Sequence, residues 1–140
     1  MAIVADTGAI YALYDKRDAN HEEVVRAATP ERGAILIPTS ILAEVDYLLN
    51  RFLGAAAGLS FLDDLIDGVF LLEPLSTADL QACRRLLVQY SDLDVGLADA
   101  SVMAVAFRLG AIPILTLDQR HFRPIRTSKG KPFVLLPFDQ

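Results

Sequence analysis

The stretch from residue 94 to residue 118 constrains this chain more than any other. It runs Asp94-Val-Gly-Leu-Ala-Asp99-Ala-Ser101-Val-Met-Ala-Val-Ala-Phe-Arg-Leu-Gly110-Ala-Ile-Pro-Ile-Leu-Thr116-Leu-Asp118. Between Leu97 and Leu109 only Asp99, Ser101 and Arg108 are polar. Apolar residues on nearly every face predict a helix covered on most of its circumference. Gly110 stands where a helix commonly ends in the left-handed conformation. Pro113-Ile-Leu-Thr-Leu then predicts a short buried strand ending at Asp118. A carboxylate in the first turn of a buried helix is expensive to desolvate unless something pairs with it. Asp99 is therefore expected to have a partner.

The rest of the chain repeats the alternation of strand and helix. Residues 2–5 read as a buried strand ended by Asp6, and 7–14 as a helix. A polar turn leads to a short helix over 21–28, closed by Pro30. His21, beside Glu22 and Glu23, reads as an exposed first-turn residue and not as a ligand. Residues 34–37 predict a second buried strand. Pro38 opens a helix to about residue 52, with Ile41, Val45, Leu48, Leu49 and Phe52 on one face and Glu44 near its start. Another helix is expected over 54–68, with Asp63, Asp64 and Asp67 on its solvated face. Residues 69–73 form a third strand. Ser76-Thr-Ala-Asp79 resembles a capping box and starts a helix to about residue 90. Residues 133–136 give a candidate last strand at an edge. Strands that are continuous apolar runs, alternating with helices, imply an α/β fold. Its centre is a mostly parallel sheet of four to five strands with helices on both faces. Crossovers should be right-handed. At 140 residues one domain spanning 1–140 is expected.

In such a fold strand C-termini and helix N-termini share one edge of the sheet, where open α/β sheets bind ligands. Asp6 and Asp118 end strands; Glu44 and Asp99 sit in first helical turns. All four are expected at that edge. Each has a bland explanation. Asp6 can cap a helix, Asp99 can meet a helix dipole, Asp118 can begin a turn, and Glu44 can pair with Arg51. Four carboxylates brought together repel one another and retain protons unless a cation intervenes. With no cysteine or clustered histidine nearby, an all-oxygen set points to Mg²⁺ or Mn²⁺ over zinc. Asp94 reads as a helix cap, with an auxiliary acidic role as the alternative.

Charge sharpens the picture. The net charge is −5, which alone argues against nucleic acid. Yet residues 120–140 hold five basic side chains and only Asp139, while residues 1–119 hold 8 basic and 17 acidic ones. The basic tail reads either as a solvated loop or as a phosphate-contacting arm beside an acidic site. No uncharged run approaches the roughly 18 residues of a membrane span, and no signal peptide is evident. The lone Cys83 sits at helical spacing with Leu80 and Leu87 and reads as core filler. A cytoplasmic protein fits these features.

Three lookalikes can be set aside. Asp6-Thr-Gly matches the aspartic-protease triplet, but that fold is all-β. Haloacid-dehalogenase phosphatases need a second Asp two residues on, where this chain has Gly8. A response-regulator receiver needs an acceptor Asp ending its third strand, and Glu73-Pro74 stands there instead. Four segments in order carry a closer likeness: Ile3-Val-Ala-Asp6-Thr-Gly-Ala, Pro38-Thr-Ser-Ile-Leu-Ala-Glu44-Val, Leu97-Ala-Asp99-Ala-Ser101 and Leu115-Thr116-Leu-Asp118-Gln-Arg-His-Phe122. Together they resemble the signature segments of PIN-domain ribonucleases, and VapC-like toxins of toxin–antitoxin pairs most closely. Each segment alone is weak; the ordered set spans nearly the whole chain.

The resemblance implies a metal-dependent endoribonuclease, typically a homodimer neutralised by a cognate antitoxin. It makes Asp6, Glu44, Asp99 and Asp118 the acidic quartet, with Asp118 matching the most variable position. One or two Mg²⁺ or Mn²⁺ ions held there would serve hydrolysis of an RNA phosphodiester. Thr7, Ser101 and Thr116 neighbour three of the acids and are expected to orient them or water; ordinary capping is the plainer role. Arg120 and Arg123 are expected to contact RNA phosphates. The apolar run around residues 52–61 is a second reason to expect a homodimer. The rival readings are a non-catalytic PIN-like module that binds RNA or protein, and another Mg²⁺ enzyme such as a phosphatase or structure-specific DNA nuclease.

Overall fold

The computed structural model of the protein describes residues 1–140. Five strands form one sheet: β1 (Ile3–Ala5), β2 (Ile35–Pro38), β3 (Phe70–Glu73), β4 (Ile114–Leu115) and β5 (Leu135–Leu136). All neighbouring pairs are parallel, in the order β3-β2-β1-β4-β5. Seven helices surround it: α1 (Thr7–Tyr14), α2 (His21–Ala28), α3 (Leu42–Leu53), α4 (Ala55–Ile66), α5 (Thr77–Gln89), α6 (Leu97–Arg108) and α7 (Gln119–Phe122). The α/β class, the parallel sheet and its helical cover are those expected. No helix is long and apolar enough to cross a membrane.

Strand side chains alternate between faces, and here each face has its own core. Ile3, Ala5, Ile35, Ile37 and Leu115 pack with Ile10 of α1, Val24 of α2, Leu49 of α3 and Phe61 of α4. Val4, Leu36, Ile114 and Leu135 pack with Leu86 of α5, Val102 and Val105 of α6 and Phe122 of α7. Every residue of α6 from 100 to 106 is buried. The sheet covers one side of that helix, while its Ala100 and Ala104 meet Cys83 of α5. The two covers explain why the helix is apolar all round. Each fully buried aliphatic side chain contributes roughly 1.5–3 kcal/mol.

Helix ends follow local chemistry. The Ser76 hydroxyl accepts from Asp79 N at 3.1 Å, and Asp79 Oδ2 accepts from Ser76 N at 3.0 Å, a complete capping box. The long segment from 39 to 66 breaks at Gly54, whose φ of 95° favours glycine. The resulting α3 and α4 pack closely at Gly58, where a Cβ would lie 2.6 Å from Asn50 Nδ2.

Several expectations need correction. Pro38 closes β2 and does not open a helix; a 3-10 turn at Thr39–Ile41 intervenes before α3. The third strand forms as expected, on an edge of the sheet that leaves its Leu71 and Leu72 partly exposed. Asp64 is not on a solvated face, because it is half-buried and accepts from the Tyr14 hydroxyl. His21 is not exposed either: it is half-buried, with its Nδ1 2.7 Å from the Ala12 carbonyl. Asp94 does not cap α6. It is in the left-handed conformation at the end of a 3-10 turn, and Gly96 is the cap residue. The short α7 is not foreshadowed by any pattern in the sequence.

Candidate functional site

The chain leaves β1 for β2 on one side and returns to β4 on the other. The segments that follow β1 and β4 therefore leave to opposite faces and open a crevice at the carboxyl ends, the usual ligand position in open parallel sheets. Asp6 follows β1 directly, and its backbone N donates to the Leu115 carbonyl of β4 at 3.1 Å. Asp118 lies just past β4. Glu44 and Asp99 stand in the first turns of α3 and α6. All four acids line one cleft of about 500 Å³, with Thr7 and Gly8. The four carboxylates come from four separate elements and meet at the predicted edge.

Three of the bland roles hold simultaneously, and Asp99 meets the dipole in the first turn of α6. Asp6 caps α1, its Oδ1 accepting from Ala9 N at 2.9 Å. Asp118 caps α7, its Oδ1 accepting from His121 N at 3.0 Å. Glu44 makes no ion pair with Arg51, whose guanidinium instead lies over the Phe52 ring. Thr116 ties the two caps together. Its hydroxyl donates to Asp6 Oδ2 and accepts from Asp118 N at 3.0 Å. Ser101 reaches none of the acids. Its hydroxyl bonds the carbonyls of Leu97 and Ala98, and the hydroxyl of Ser40. It thus ties the start of α6 to the turn before α3. Thr7 lines the cleft with no side-chain hydrogen bond of its own.

Burial differs from the sequence expectation. The deeply buried acid is Asp6, 6% exposed. The Asp99 side chain is 26% exposed, because the first turn of α6 opens into the cleft. Burial pushes Asp6 up to about 7; Asp99 and Asp118 push it further the same way, against the lowering bonds from Thr116 and Ala9. Asp99 is also raised, by burial, then Asp118 and Glu44, with His121 opposing.

His121 is the site residue that sequence reasoning missed. Its Nδ1 lies 2.7 Å from Asp118 Oδ2 and 3.5 Å from Asp99 Oδ2. The signal was its place three residues after Asp118, one helical turn away, but no helix is expected there from the sequence. No Lys or Arg pairs with any of the four acids; the arginines that form ion pairs engage Glu73, Asp79 and Asp139. An acidic cleft that holds Asp6 against ionisation and has no fixed cation fits a bound divalent ion.

The basic segment divides. Arg123 is paired with Asp139 at 2.7 and 3.1 Å and with Gln119 at 2.8 Å. Arg126 donates to the carbonyls of Arg123 and Ile125. Arg120 is exposed and has no ion pair.

A parallel α/β sheet with an acidic cleft at its switch point defines a class, and the family model for the PIN domain matches residues 3–126. The chain belongs to the PIN-domain family. Within it, the chain is similar to Ribonuclease VapC26 of Mycobacterium tuberculosis, with 31% identity over 135 residues, 96% of this chain and 100% of that protein. That likeness along the whole length places it with the VapC ribonucleases. Solved structures share the fold. The crystal structure of Mycobacterium tuberculosis VapC20, a sarcin–ricin loop cleaving toxin, superposes with a TM-score of 0.74 at 24% identity, covering 84% of this chain and 90% of that one. VapBC2 of Rickettsia felis, bound to a DNA fragment from its promoter, gives 0.68 at 17% identity, covering 96% and 97%.

Proposed function

We propose that this chain is an endoribonuclease acting as the toxin of a toxin–antitoxin pair, and that it cleaves RNA with Mg²⁺ or Mn²⁺ held by Asp6, Glu44, Asp99 and Asp118. The observation that carries this reading is the convergence of four carboxylates from separate elements on one cleft that contains no Lys or Arg partner. VapC26 is named a ribonuclease, and VapC20 a toxin that cleaves the sarcin–ricin loop. When bound, one or two such ions supply Lewis-acid activation of water and charge stabilisation at the phosphoryl oxygens. The protein's part is to hold the donors in place before substrate arrives. Thr116 fixes Asp6 and Asp118 relative to each other, and Ser101 fixes the two helix starts that carry Glu44 and Asp99. Arg120, exposed two residues beyond Asp118, contacts the phosphate backbone.

Partner binding follows the same logic. Tyr47, Phe52, Leu59, Leu62 and Ile66 of α3 and α4 are exposed apolar side chains, more than an isolated helical pair needs to show. They support a homodimer and an antitoxin interface on that face. A structure from Klebsiella pneumoniae with this fold is a toxin–antitoxin complex. The deciding experiment incubates purified protein and Mn²⁺ with RNA, single-stranded DNA and a phosphomonoester. Cleavage of RNA alone, abolished by chelator, is expected. Hydrolysis of the monoester would instead indicate a phosphatase, and cleavage of DNA a different nuclease.

A further inference from the structure

His121 sits at the Asp99–Asp118 edge of the acidic cleft on two anchors. Its backbone N and its Nδ1 both bond the Asp118 carboxylate, at 3.0 and 2.7 Å. Its side chain is only 22% exposed. A carboxylate only accepts, so Nδ1 donates in this arrangement. Nε2 has no protein partner. Moving the ring proton from Nδ1 to Nε2 gives up the bond to Asp118 and breaks no other, leaving the Nδ1 lone pair 2.7 Å from Asp118 Oδ2 and 3.5 Å from Asp99 Oδ2. One donor atom from each of the three side chains lies within 4.8 Å of the others. Donors about 2.0–2.2 Å from one ion stand about 3–4 Å apart, so small side-chain shifts close the set.

We infer that His121 is itself a metal ligand, its Nδ1 completing a mixed set of one nitrogen and two carboxylates with Asp99 and Asp118. This rests on the metal-dependent reading of the cleft and refines it. Imidazole suits first-row transition ions, whereas Mg²⁺ prefers oxygen throughout. The cleft is then unequal. Asp6 and Glu44 offer oxygen only, while the Asp99–Asp118 side offers nitrogen and selects Mn²⁺ over Mg²⁺. The competing role is a placeholder, in which the imidazole merely bonds Asp118 until an ion displaces it. The two roles predict opposite changes when the ring is removed, because losing a ligand weakens binding and losing a competitor strengthens it.

The test uses the full chain loaded with Mn²⁺ and pulsed electron paramagnetic resonance, reading ¹⁴N coupling, beside calorimetric titration with Mn²⁺ and with Mg²⁺. Wild type should show coupling to one imidazole. His21→Ala should keep it and His121→Ala should lose it. Mn²⁺ affinity should fall by tenfold or more in His121→Ala, at least the loss that follows removal of a ligand's supporting partner, with a smaller change for Mg²⁺. Mn²⁺ bound to wild type without nitrogen coupling, or unchanged or tighter binding in His121→Ala, overturns the assignment and leaves the carboxylate site standing. No Mn²⁺ binding to wild type at all overturns the metal reading and this inference with it.

Discussion

Asp79 and Asp6 are buried almost equally, at 4% and 6% exposure, and their carboxyls move in opposite directions. Burial raises both. At Asp79 the Ser76 amide and the Arg108 guanidinium outweigh it and hold the group below the usual range. Arg108 spans Asp79 and Glu73 at 2.9 and 2.8 Å, so the fold sets a fixed cation against both carboxylates. At Asp6 two hydrogen bonds are present, but its charged neighbours are Asp99 and Asp118, and the group rises to about 7. The lesson is that burial alone does not mark a functional acid. What separates the two sites is whether the fold supplies the countercharge. Where it does, the acid builds structure; where it does not, the cleft is left needing a ligand.

The largest expected effect breaks the cleft alone. Asp99→Asn should abolish RNA cleavage and leave the fold intact, because the first turn of α6 is held by Ser101 and not by Asp99. Calorimetry should also show weakened Mn²⁺ binding. Unchanged Mn²⁺ affinity would remove Asp99 from the metal set. Asp79→Ala should do the reverse, keeping activity per folded molecule while lowering stability by about 2 kcal/mol through loss of a charge-assisted hydrogen bond and half a capping box.

Metal should stabilise one region and not the other. Mn²⁺ at a hundredfold excess over its dissociation constant adds about 2.7 kcal/mol to the unfolding free energy. Thermal melts should register this gain in wild type and Asp79→Ala, and much less of it in Asp99→Asn. A gain that survives in Asp99→Asn would locate the bound ion elsewhere. Chelator should remove both the gain and the activity.

The pH dependence of metal-free stability separates the two aspartates by sign. The folded state keeps a proton on Asp6 that the unfolded chain releases between about pH 4 and 7. Its contribution to stability is therefore fully present at the acid end and is lost as pH rises through that window. Asp79 behaves oppositely, since its lowered folded value gives stability above the ordinary carboxylate range that is lost on acidification. In chelator, Asp6→Asn should be more stable than wild type at pH 8 and should lose the decline between pH 4 and 7. Equal melting temperatures for the two proteins at pH 8 would mean that burial and the neighbouring acids do not hold the Asp6 carboxyl above its ordinary range.

Most of this architecture was legible because hydrophobic pattern and capping signals agreed with the tertiary fold. Thr7–Tyr14 and His21–Ala28 have the limits their sequences suggest, and the Ser76–Asp79 box forms as written. The edge that gathers Asp6, Glu44, Asp99 and Asp118 follows from the alternation of strands and helices, which sets strand ends and helix starts on one side. What stayed hidden depends on packing that a linear pattern does not carry. The depth of Asp6 relative to Asp99 is set by how far the start of α6 opens into the cleft. The diversion of Ser101 to its own helix and Ser40 competes with any carboxylate interaction. His121 reaches Asp118 and Asp99 only because Asp118 nucleates a four-residue helix too short to show a period.

The smallest effect tests the same distinction between committed and free charge, now among cations. Sequence position suggests that Arg120 and Arg123 share phosphate binding. In the structure Arg123 is committed to Asp139 and Gln119, and Asp139 also accepts from Leu135 N at 2.9 Å. That network ties α7 to the residues around β5, and releasing Arg123 for RNA would break it. Arg120 breaks nothing by binding phosphate. Arg120→Ala should therefore weaken RNA binding roughly equally across sequences, since phosphate contacts carry no base information. It should flatten the dependence of log affinity on log salt by about 0.7, the share of one neutralised phosphate on a single strand. Arg123→Ala should leave that slope unchanged and lower stability slightly, as expected of a half-exposed ion pair. The measurement is RNA affinity against salt with Ca²⁺ in place of the catalytic metal, so that the strand stays intact. A flattened slope in Arg123→Ala with none in Arg120→Ala would mean that the Asp139 pair opens for RNA, and that commitment in the free protein does not predict which cation meets the substrate.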